Sequence, residues 1–546
     1  MSFRALARLL AAYAGVLLIV CAALHHAVAL RQVQGATIKS AWSAGELVAR
    51  TVNADMDASG EPITELVVEE APLFSANDVV LAMSLVAGRD GVRATLDGKT
   101  AYVTPDDLLS RGGYDHGFAI PSLTLAFGAD AELVLALLGE RLGAPVPEVR
   151  ARARLTRIRT VRSGAASQPF AKTTPDELTP DVLRAAALDA ARFLARGVSV
   201  EGRFRYLVDA STNRSLGGYD LPRHAAAVYF LAQAAGLSHD ESIGGAALRA
   251  ARYLRDRETS TCGANRCVGR DDVVDIGSSA LTLIAFNELV RTNLDRSYRG
   301  AVEELARFLR SQQRPDGEFM HLYDRRANKP VDRQFIYYSG EVTLALSRAY
   351  GLFHHQADLD AASRGLAHLV GPAWSFFGDR YYFGEEHWTC QAMSELWDAA
   401  PDPKALSFCE HWQAYGRKMM YGPGETPFDA DGSYGVGPVV TPRYTPVASR
   451  CEAGIATLDA MTRAHVDPAE QVALASQMRR SLALLLRVQL RPGATHLFAD
   501  PAAVYGAFPG SAVDWQLRND YAQHAGSALI RAADVWSAMV PAVRTP

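Results

Sequence analysis

The fold is decided by residues 301–352, which read AVEELARFLRSQQR (301–314), PDGEFMHLYD (315–324) and, after a short link, DRQFIYYSGEVTLALSRAYGL (332–352). In the first run, apolar residues recur at helical spacing on one side only, which is typical of a surface helix. The last run is apolar on nearly every side beyond Glu341, which is typical of a buried helix. The stretch therefore predicts an outer helix, a loop rich in aromatic and acidic residues, and an inner helix.

The same unit recurs along the chain. EGRFRYLVD (201–209) and DGEFMHLYD (316–324) match at Gly, Phe, Leu and Asp without a gap. With four weaker copies there are roughly six helix pairs at a period of about 60 residues, which is longer than the common solenoid repeats. An open array needs polar faces at its ends, whereas the first and last pairs here are as apolar as the middle ones. We predict a mainly α fold, an (α/α)6 toroid over residues 181–540.

A resemblance to known toroids supports this prediction. The run ARFLRSQQRPDGEF (306–319) resembles the Gln-and-aromatic repeat of the terpenoid-cyclase and prenyltransferase toroids. The wider pattern, over about residues 180–540, is similar to the six-hairpin glycosidases and sugar epimerases. The Asp-rich cyclase motif is absent, because DDVVD (271–275) has the wrong spacing, and so is the Cys-His-Gly signature of lanthionine cyclases. The resemblance implies the fold alone, since one fold hosts many functions.

The N-terminus carries a hydrophobic segment. Residues 9–30 read LLAAYAGVLLIVCAALHHAVAL and follow a basic start with Arg4 and Arg8. This predicts that residues 1–39 hold either a single transmembrane anchor or a signal peptide cleaved after the small-residue site at residues 27–29. We favour the anchor. In both interpretations the rest of the chain lies outside the cytoplasm, in the periplasm or secreted.

Residues 40–165 do not share the repeat and predict a small α+β module of unknown role, joined by a linker at 166–180. Within it, Asp97-Gly98 predicts a hairpin turn, and VRARARLTRIRTVR (149–162) is interpreted as a strand with Arg150, Arg152 and Arg154 on one face. Such a strand can touch an acidic polymer or lipid head groups. A solvated edge strand protected by its charges is the favoured interpretation.

The length of 546 residues, with 49% hydrophobic and 21% charged residues, provides for a large core and one further domain. The net charge of −4 gives no reason to expect a nucleic-acid partner. Among the six cysteines, Cys262 and Cys267 predict a small-loop disulfide in an exported protein, with a zinc half-site as the alternative. We predict no cofactor. The alternative is a zinc site of Cys390, Cys451 and His387, although Cys451 can equally pair with Cys409.

In a ring of hairpins all inner helices run in the same direction, so the residues at their N-terminal ends gather around one opening. The first turns there collect acids, imidazoles and aromatic rings. The helix dipole explains some first-turn acids, but Glu341 and Glu452 are followed at once by buried sequence, which favours a role in acid–base chemistry. The predicted catalytic residues are Glu341, Glu386, His387, Glu452, Asp520 and His524. The predicted substrate-binding residues are Tyr219, Arg223, His224, Asp275, Tyr337, Tyr338, Trp388, Arg450, Trp515 and Tyr521.

Aromatic rings beside paired carboxylates are what sugar chemistry requires, because rings stack on pyranose faces and two carboxyls act as acid and base or nucleophile. His387 and His524 can instead move a proton at a carbon next to a carboxylate, as an epimerase or lyase requires. Helix N-termini and arginines favour an acidic polysaccharide. We predict an exported carbohydrate-active enzyme, a glycoside hydrolase or a uronic-acid epimerase or lyase. The alternatives are a non-catalytic glycan-binding or scaffold protein of the cell envelope and a terpenoid-cyclase-like or prenyltransferase-like toroid enzyme.

Overall fold

The computed structural model describes residues 29–56, 62–74, 76–114, 117–120, 123–126, 128–163, 173–373, 386–426, 429–435, 441–491 and 496–540. The chain forms two compact units. The N-terminal unit is Met1–Gln168 with Gly437–Thr441 and Gly493–Ala499, and the helical unit is Pro169–Val436 with Pro442–Pro492 and Asp500–Pro546.

The N-terminal unit is built on an antiparallel sheet in the order β3-β2-β4-β9-β5-β6, with β1 paired to β4. Its strands are β1 (Arg31–Gln32), β2 (Thr37–Ser43), β3 (Glu46–Val52), β4 (Ile63–Leu73), β5 (Asp90–Leu96), β6 (Lys99–Val103) and β9 (Arg154–Ser163), and β7 (Gly117–Ile120) and β8 (Leu123–Ala126) form a separate hairpin. Its helices are α1 (Asp78–Ser84), α2 (Pro105–Leu109), α3 (Ala131–Leu142) and α4 (Val146–Arg152).

Local sequence signals account for two connections in this unit. Asp97 and Gly98 join β5 to β6 with φ values of 49° and 79°, and two consecutive positive φ values define the type I′ turn that Asp-Gly favours. Thr104 begins α2 through a capping box with Asp107, which satisfies backbone N–H groups that the first turn would otherwise leave without partners. The Asp-Gly turn was predicted from the sequence and is present.

The predicted basic edge strand is wrong in two respects: it starts later than predicted, and β9 is an interior strand that pairs with both β4 and β5. Arg150 and Arg152 lie in α4, which begins after Pro145 with a proline in its first turn, and β9 starts only at Arg154. Proline fixes φ near the helical value and lacks the N–H group that a helix start leaves unused, so it favours a helix there. Arg150 donates hydrogen bonds to the Ala76 carbonyl oxygen and to Asp78, which ties α4 to the start of α1.

The helical unit consists of six hairpins, each with an outer and an inner helix. The outer helices are α5 (Pro180–Arg196), α7 (Glu241–Tyr253), α9 (Arg299–Ser311), α11 (Gln356–Leu369), α13 (Pro403–Lys418) and α15 (Pro468–Val488). The inner helices are α6 (Leu221–Ser238), α8 (Ile276–Arg291), α10 (Tyr338–Phe353), α12 (Glu386–Leu396), α14 (Tyr444–Arg463) and α17 (Asn519–Asp534). Short helices α16 (Pro501–Val504) and α18 (Trp536–Met539) complete the set.

Short strands decorate the loops between outer and inner helices. They are β10 (Leu207–Asp209), β11 (Arg214–Ser215), β12 (Thr259–Cys262), β13 (Asn265–Val268), β14 (Val273–Asp275), β15 (Leu322–Asp324), β16 (Lys329–Val331) and β17 (Gln516–Arg518). β10 pairs with β17, so the loop of the first hairpin is joined to the loop of the last.

The inner helices form a closed ring. Each packs against the next, from α6 to α8, α10, α12, α14 and α17, and α17 packs back against α6. Burial follows the pattern expected for a ring core: every residue of α8 from Ile276 to Val290 is buried, whereas α9 buries only the stripe at Val302, Leu305, Ala306, Phe308 and Leu309. The predicted (α/α)6 toroid is therefore present, and all inner helices begin at the same end.

A glycine in four of the hairpin loops packs against the backbone of the next outer helix. At each of them φ lies between 87° and 95°, and a Cβ atom would collide with a carbonyl oxygen of that helix. The pairs are Gly202 with Arg249, Gly317 with Arg364, Gly432 with Arg480, and Gly506 with Asp189. The last pair joins the sixth hairpin to the first outer helix, so the same contact that links neighbours also closes the ring.

A glutamine reinforces two of these joints. Gln313, just past α9, donates hydrogen bonds to the carbonyl oxygens of Gly317 and Ala361 at 3.1 and 2.8 Å. Gln489, just past α15, does the same to the carbonyl oxygens of Gly506 and Ala186 at 3.1 and 2.8 Å. The Gln-and-aromatic pattern of the sequence therefore has a structural role, because each glutamine holds its own loop and the next outer helix together.

Two disulfides lie in the helical unit. Cys262 and Cys267 close the loop between β12 and β13 as predicted, and Cys390 on α12 is joined to Cys409 on α13. The predicted alternative pairing of Cys409 with Cys451 is wrong, because Cys451 is a free, buried thiol.

Among the described residues, no helix combines the length and apolar character that crossing a membrane requires. The predicted membrane segment at residues 9–30 lies outside the described residues except for its last two positions.

We expect Gly506→Ala to destabilise the protein by about 2 to 4 kcal/mol. The added methyl group meets the Asp189 carbonyl oxygen, and both overpacking and a left-handed backbone conformation are costly for a residue with a side chain. Chemical denaturation followed by circular dichroism measures the effect. Gly245→Ala, inside α7 with only ordinary contacts around the new methyl group, is the control and should gain up to about 1 kcal/mol. Equal stability of the two variants would contradict the proposed role of this joint.

Candidate active site at the mouth of the helical ring

The N-terminal ends of the inner helices surround a cavity of about 780 Å³. Most of the predicted site residues line it, on five inner helices and the residue just before one of them. They are Arg223, Tyr337, Tyr338, Glu341, His387, Trp388, Arg450, Asp520, Tyr521 and His524. The structure therefore brings together side chains that lie as far as 301 residues apart in sequence, as the parallel arrangement of inner helices predicted.

Two imidazoles lie side by side in the cavity wall. His387, in the first turn of α12, and His524, in the second turn of α17, have ring centres 5.4 Å apart with nearly perpendicular planes. His387 is only 5% exposed. Trp388 packs against both rings, with its centre 4.4 Å from His387 and 5.8 Å from His524. The indole therefore holds the imidazoles in place and shields one side of them from water.

A buried carboxylate orients one of these imidazoles. Glu452 on α14 is fully buried, and its Oε2 lies 2.7 Å from Nδ1 of His524. In neutral His524 this contact places the proton on Nδ1, because a carboxylate accepts and does not donate. Nε2 is then left with its lone pair as a proton acceptor. The second oxygen of Glu452, Oε1, is buried and has no hydrogen-bond partner.

Glu341 forms another part of the cavity wall. It is 5% exposed, in the first turn of α10. Gly277 of α8 lies against it, and a Cβ atom there would come within 2.6 Å of Glu341 Oε2 and 2.5 Å of the Tyr338 ring. Burial raises the pKa of Tyr338, and the charges of Asp275 and Glu341 raise it further. The glycine thus leaves the space in which the carboxylate and the phenol fit.

Asp520 is held by two guanidinium groups. Arg518 donates to it at 2.6 and 2.9 Å, and Arg223 of α6 donates at 3.1 Å. Burial alone would lower the pKa of Arg518, but the hydrogen bonds and charge of Asp520 outweigh burial and raise it. The guanidinium of Arg518 also lies 4.7 Å from the centre of the Tyr521 ring. Asp520 therefore fixes two arginines at the rim.

Some predicted substrate-binding residues are not among those lining the cavity. His224 is fully buried, and its two nitrogens contact the Tyr219 hydroxyl at 2.6 Å and the Ala250 carbonyl oxygen at 3.0 Å. Burial lowers the pKa of His224 to about 4. Asp275 caps α8 by accepting hydrogen bonds from Ser278, and the buried Trp515 donates to the Ala512 carbonyl oxygen. These side chains serve the packing of the loops.

The side chain of Glu386 lies outside the described residues, although the backbone of Glu386 begins α12. Its catalytic role therefore remains a prediction from the sequence.

Among the polar residues of the cavity that sequence reasoning missed are Gln523, Arg518 and Asp514. Gln523 is fully buried, and neither its amide oxygen nor its amide nitrogen has a hydrogen-bond partner. Arg518 and Asp514 also line the cavity, the latter paired with Arg443. Gln523 immediately precedes His524 in the sequence, and this position beside a predicted catalytic residue could have identified it as a cavity residue. A glutamine carries no titratable group, so an approach based on acids and imidazoles passes over it.

The predicted zinc set does not come together. Cys390 is in a disulfide and has no thiolate to offer a metal, and burial raises the pKa of the Cys451 thiol well above its ordinary value. A different set is better placed: one ligand atom each of His387, Glu452 and His524 lie within 4.8 Å of one another. Two imidazoles and a carboxylate are a known ligand set for Zn²⁺. A metal bound there would replace the proton that His524 and Glu452 share.

No protein family matches this chain, and no curated protein matches it. Solved structures do. A D-mannose isomerase aligns with a TM-score of 0.49 and 14% identity over 65% of this chain and 98% of its own. A cellobiose 2-epimerase from Bacillus thermoamylovorans gives 0.48 and 11% over 63% and 95%, and an unsaturated glucuronyl hydrolase specific for heparin gives 0.45 and 15% over 65% and 98%. The closed ring of six hairpins in this chain confirms the predicted resemblance to the six-hairpin toroids, and these three structures share that architecture.

Proposed function

We propose that this chain is a carbohydrate-active enzyme that moves a proton at a sugar carbon next to a carbonyl or carboxylate group, as an epimerase or lyase does. One observation carries the proposal: two imidazoles with ring centres 5.4 Å apart in one cavity wall, one of them oriented by a fully buried carboxylate. Proton transfer to and from carbon needs a base and an acid within reach of the same atom.

Each step of the proposed reaction is assigned to a particular residue. His524 Nε2 takes the proton from carbon, and the negative charge of Glu452 stabilises the imidazolium that forms. The electron pair of the broken C–H bond moves onto the neighbouring carbonyl or carboxylate oxygen. Protonated His387 then gives its proton to the carbon while the electron pair returns from that oxygen to form the new C–H bond, which gives the epimer. When a leaving group sits on the next carbon, its expulsion gives the lyase product.

The remaining cavity wall fits a sugar. Trp388, Tyr337 and Tyr521 provide aromatic surface, and the amide of Gln523, buried without a partner, can both donate to and accept from hydroxyl groups. A volume of about 780 Å³ lies within the range of small-ligand sites. A carbohydrate supplies the apolar ring faces and the hydroxyl groups that such a wall requires.

The rim charges support an acidic substrate. Arg223, Arg443 and Arg518 are each paired with a carboxylate of the same rim. Arg450, by contrast, has no carboxylate partner among the described residues, and its guanidinium lies 5.1 Å from the centre of the Tyr434 ring. We therefore propose that Arg450 binds a carboxylate of the substrate, as a uronic acid carries.

The proton-transfer proposal is favoured over glycoside hydrolysis by the state of the carboxylates. Hydrolysis needs two carboxyls, one as acid and one as base or nucleophile. Glu452 is hydrogen-bonded to His524, and Asp520 is shared by two guanidinium groups. Two of the three predicted catalytic carboxylates whose side chains the structure describes are therefore engaged by an imidazole or by guanidinium groups and do not form an acid–nucleophile pair.

We also propose that the protein is exported. The support is its two disulfides, Cys262–Cys267 and Cys390–Cys409, since disulfides persist mainly in oxidising compartments. Tethering to the membrane through residues 9–30 remains a prediction from the sequence.

The proposal predicts exchange of carbon-bound hydrogen with solvent. In D₂O, the enzyme should place deuterium at one sugar carbon, detected by NMR, when offered uronate-containing oligosaccharides, with neutral reducing sugars as the second arm. His524→Asn and His387→Asn should each lower turnover by about 10² to 10⁴-fold, the usual contribution of a general acid or base. His524→Asn keeps a hydrogen-bond donor for Glu452, so loss of that hydrogen bond does not explain its effect. Turnover without deuterium at carbon would contradict the proposal.

Glu452→Gln should lower kcat by about 10² to 10⁴-fold with little change in KM. The glutamine amide donates a hydrogen bond to Nδ1, so the neutral imidazole carries its proton on Nε2 and no longer acts as the base. The pH profile of kcat should change shape, because the carboxylate that stabilises the imidazolium is gone. Thermal denaturation of the variant serves as the control for folding. A variant with wild-type kcat and an unchanged pH profile would show that Glu452 only fills space.

The metal alternative has its own test. If the imidazoles transfer protons, dialysis against EDTA should leave activity unchanged, and the metal content of the purified protein should stay well below one atom per chain. Zinc at one atom per chain, with activity lost on chelation and restored by Zn²⁺, would instead assign His387, Glu452 and His524 as metal ligands. Inductively coupled plasma mass spectrometry on the wild-type protein and on Glu452→Gln separates the two outcomes.

A further inference from the structure

The opposite end of the ring, where the inner helices finish, holds a second cavity of about 380 Å³. Three arginines line it, one from each of three inner helices: Arg291 of α8, Arg348 of α10 and Arg531 of α17. Three carboxylates, those of Glu288, Glu395 and Asp534, also line it. None of these residues belongs to the candidate active site, so the cavity needs an explanation of its own.

The basic and acidic side chains of this second cavity are unevenly paired. Arg291 pairs with Glu288. Glu395 accepts from Arg348 at 2.9 Å and lies 3.5 Å from Arg531, so two guanidinium groups share one carboxylate. Asp534, also in the cavity wall, pairs with Arg184, which lies 4.0 Å from Asp181 as well. Arg348 and Arg531 therefore have only one carboxylate between them, and an anion beside them would supply a second negative partner.

Two polar atoms of the cavity residues are buried and have no partner. Arg348 is 8% exposed, and its Nη1 makes no hydrogen bond, although its other nitrogens contact Glu395 and Tyr229. Gln233 lies one helical turn beyond Tyr229 on α6, and its Oε1 is also without a partner. Buried polar groups are nearly always hydrogen-bonded. A donor and an acceptor left open together indicate a ligand with both an acceptor oxygen and an O–H group.

The helix dipole explains only part of this arrangement. Cations are favoured in the last turn of a helix, and Arg291 and Arg531 lie in the last turns of α8 and α17. Arg348 lies five residues before the end of α10, and its open nitrogen is not directed at a carbonyl oxygen. A purely structural role for the arginines leaves this buried donor unexplained.

We propose that the second cavity binds a small oxyanion that also carries an O–H group, such as monohydrogen phosphate or a hydroxycarboxylate. Negative oxygens accept from Arg348 Nη1 and from the uncommitted N–H groups of Arg531 and Arg291. The O–H group donates to Gln233 Oε1. The site is independent of the proposed reaction at the mouth.

Thermal denaturation of the full chain in the presence of salts tests this proposal. Inorganic phosphate should raise the melting temperature in a saturable manner, by about 2 to 5 °C at concentrations far above Kd. Sulfate has a similar size and charge but no O–H group, so it should bind about tenfold more weakly. Gluconate tests the hydroxycarboxylate class, and chloride at equal ionic strength should have no specific effect. No saturable stabilisation by either phosphate or gluconate would overturn the proposal.

Variants locate the effect within the molecule. Gln233→Glu is close in shape and should fold, but it places a negative charge beside the bound oxyanion and should therefore abolish the response to phosphate. Arg348→Gln should abolish the phosphate response as well. This variant removes one of the two partners of Glu395, so we expect it to be less stable than Gln233→Glu. Arg450→Gln, at the mouth of the ring, is the control and should keep the full response. A response that survives in Gln233→Glu, or that disappears in Arg450→Gln, would contradict binding at the second cavity.

Discussion

The ring depends on one contact that is repeated from hairpin to hairpin. A loop glycine lies directly on a backbone carbonyl of the next outer helix, at a distance that no side chain allows, and the pair Gly506 and Asp189 carries the contact across the junction between the last hairpin and the first. Gln489 adds hydrogen bonds to both sides of that junction. A hairpin of this kind cannot bury both faces of its inner helix alone, so the joints between hairpins determine whether the core forms at all.

Closure has a direct consequence for chemistry, because it gives the two ends of the ring different properties. At the end where inner helices begin, exposed N–H groups favour negative charge, and Glu341 and Asp520 lie there. At the other end, carbonyl groups favour cations, and Arg291 and Arg531 are found. The imidazole pair and the second cavity are thus placed at opposite ends by the same parallel arrangement of helices.

The toroid could be predicted because its repeat is visible in the sequence as a recurring pattern of side chains. The loop motif is clear at residues 201–209 and 316–324, while the corresponding segments DGSY (431–434) and YGAF (505–508) keep only the glycine and the buried aromatic residue. The residues at the mouth of the ring could be predicted because each of them lies at or near the start of an inner helix. The sequence did not reveal which of them meet, because the contact of Glu452 with His524 joins two different hairpins and depends on the rotation of each helix.

Arg150 and Arg152 were misplaced because alternation over a few residues also fits a short helix that begins with prolines. Cys390 was placed in the alternative zinc set because the sequence does not identify Cys409, on the neighbouring outer helix, as its disulfide partner.

The burial of Glu452 is the strongest physical argument that the mouth is more than a binding surface. A carboxylate with no exposure, one oxygen on an imidazole and the other without a partner, costs the folded state several kcal/mol relative to an apolar residue of similar size. A glycan-binding protein gains nothing from that cost, because stacking and hydroxyl recognition need no buried charge. An enzyme does gain, since the charge stabilises an imidazolium that exists only during the reaction. Strained or poorly satisfied groups in native structures concentrate where chemistry requires them. Glu452 and His524 therefore favour catalysis over simple recognition at this site.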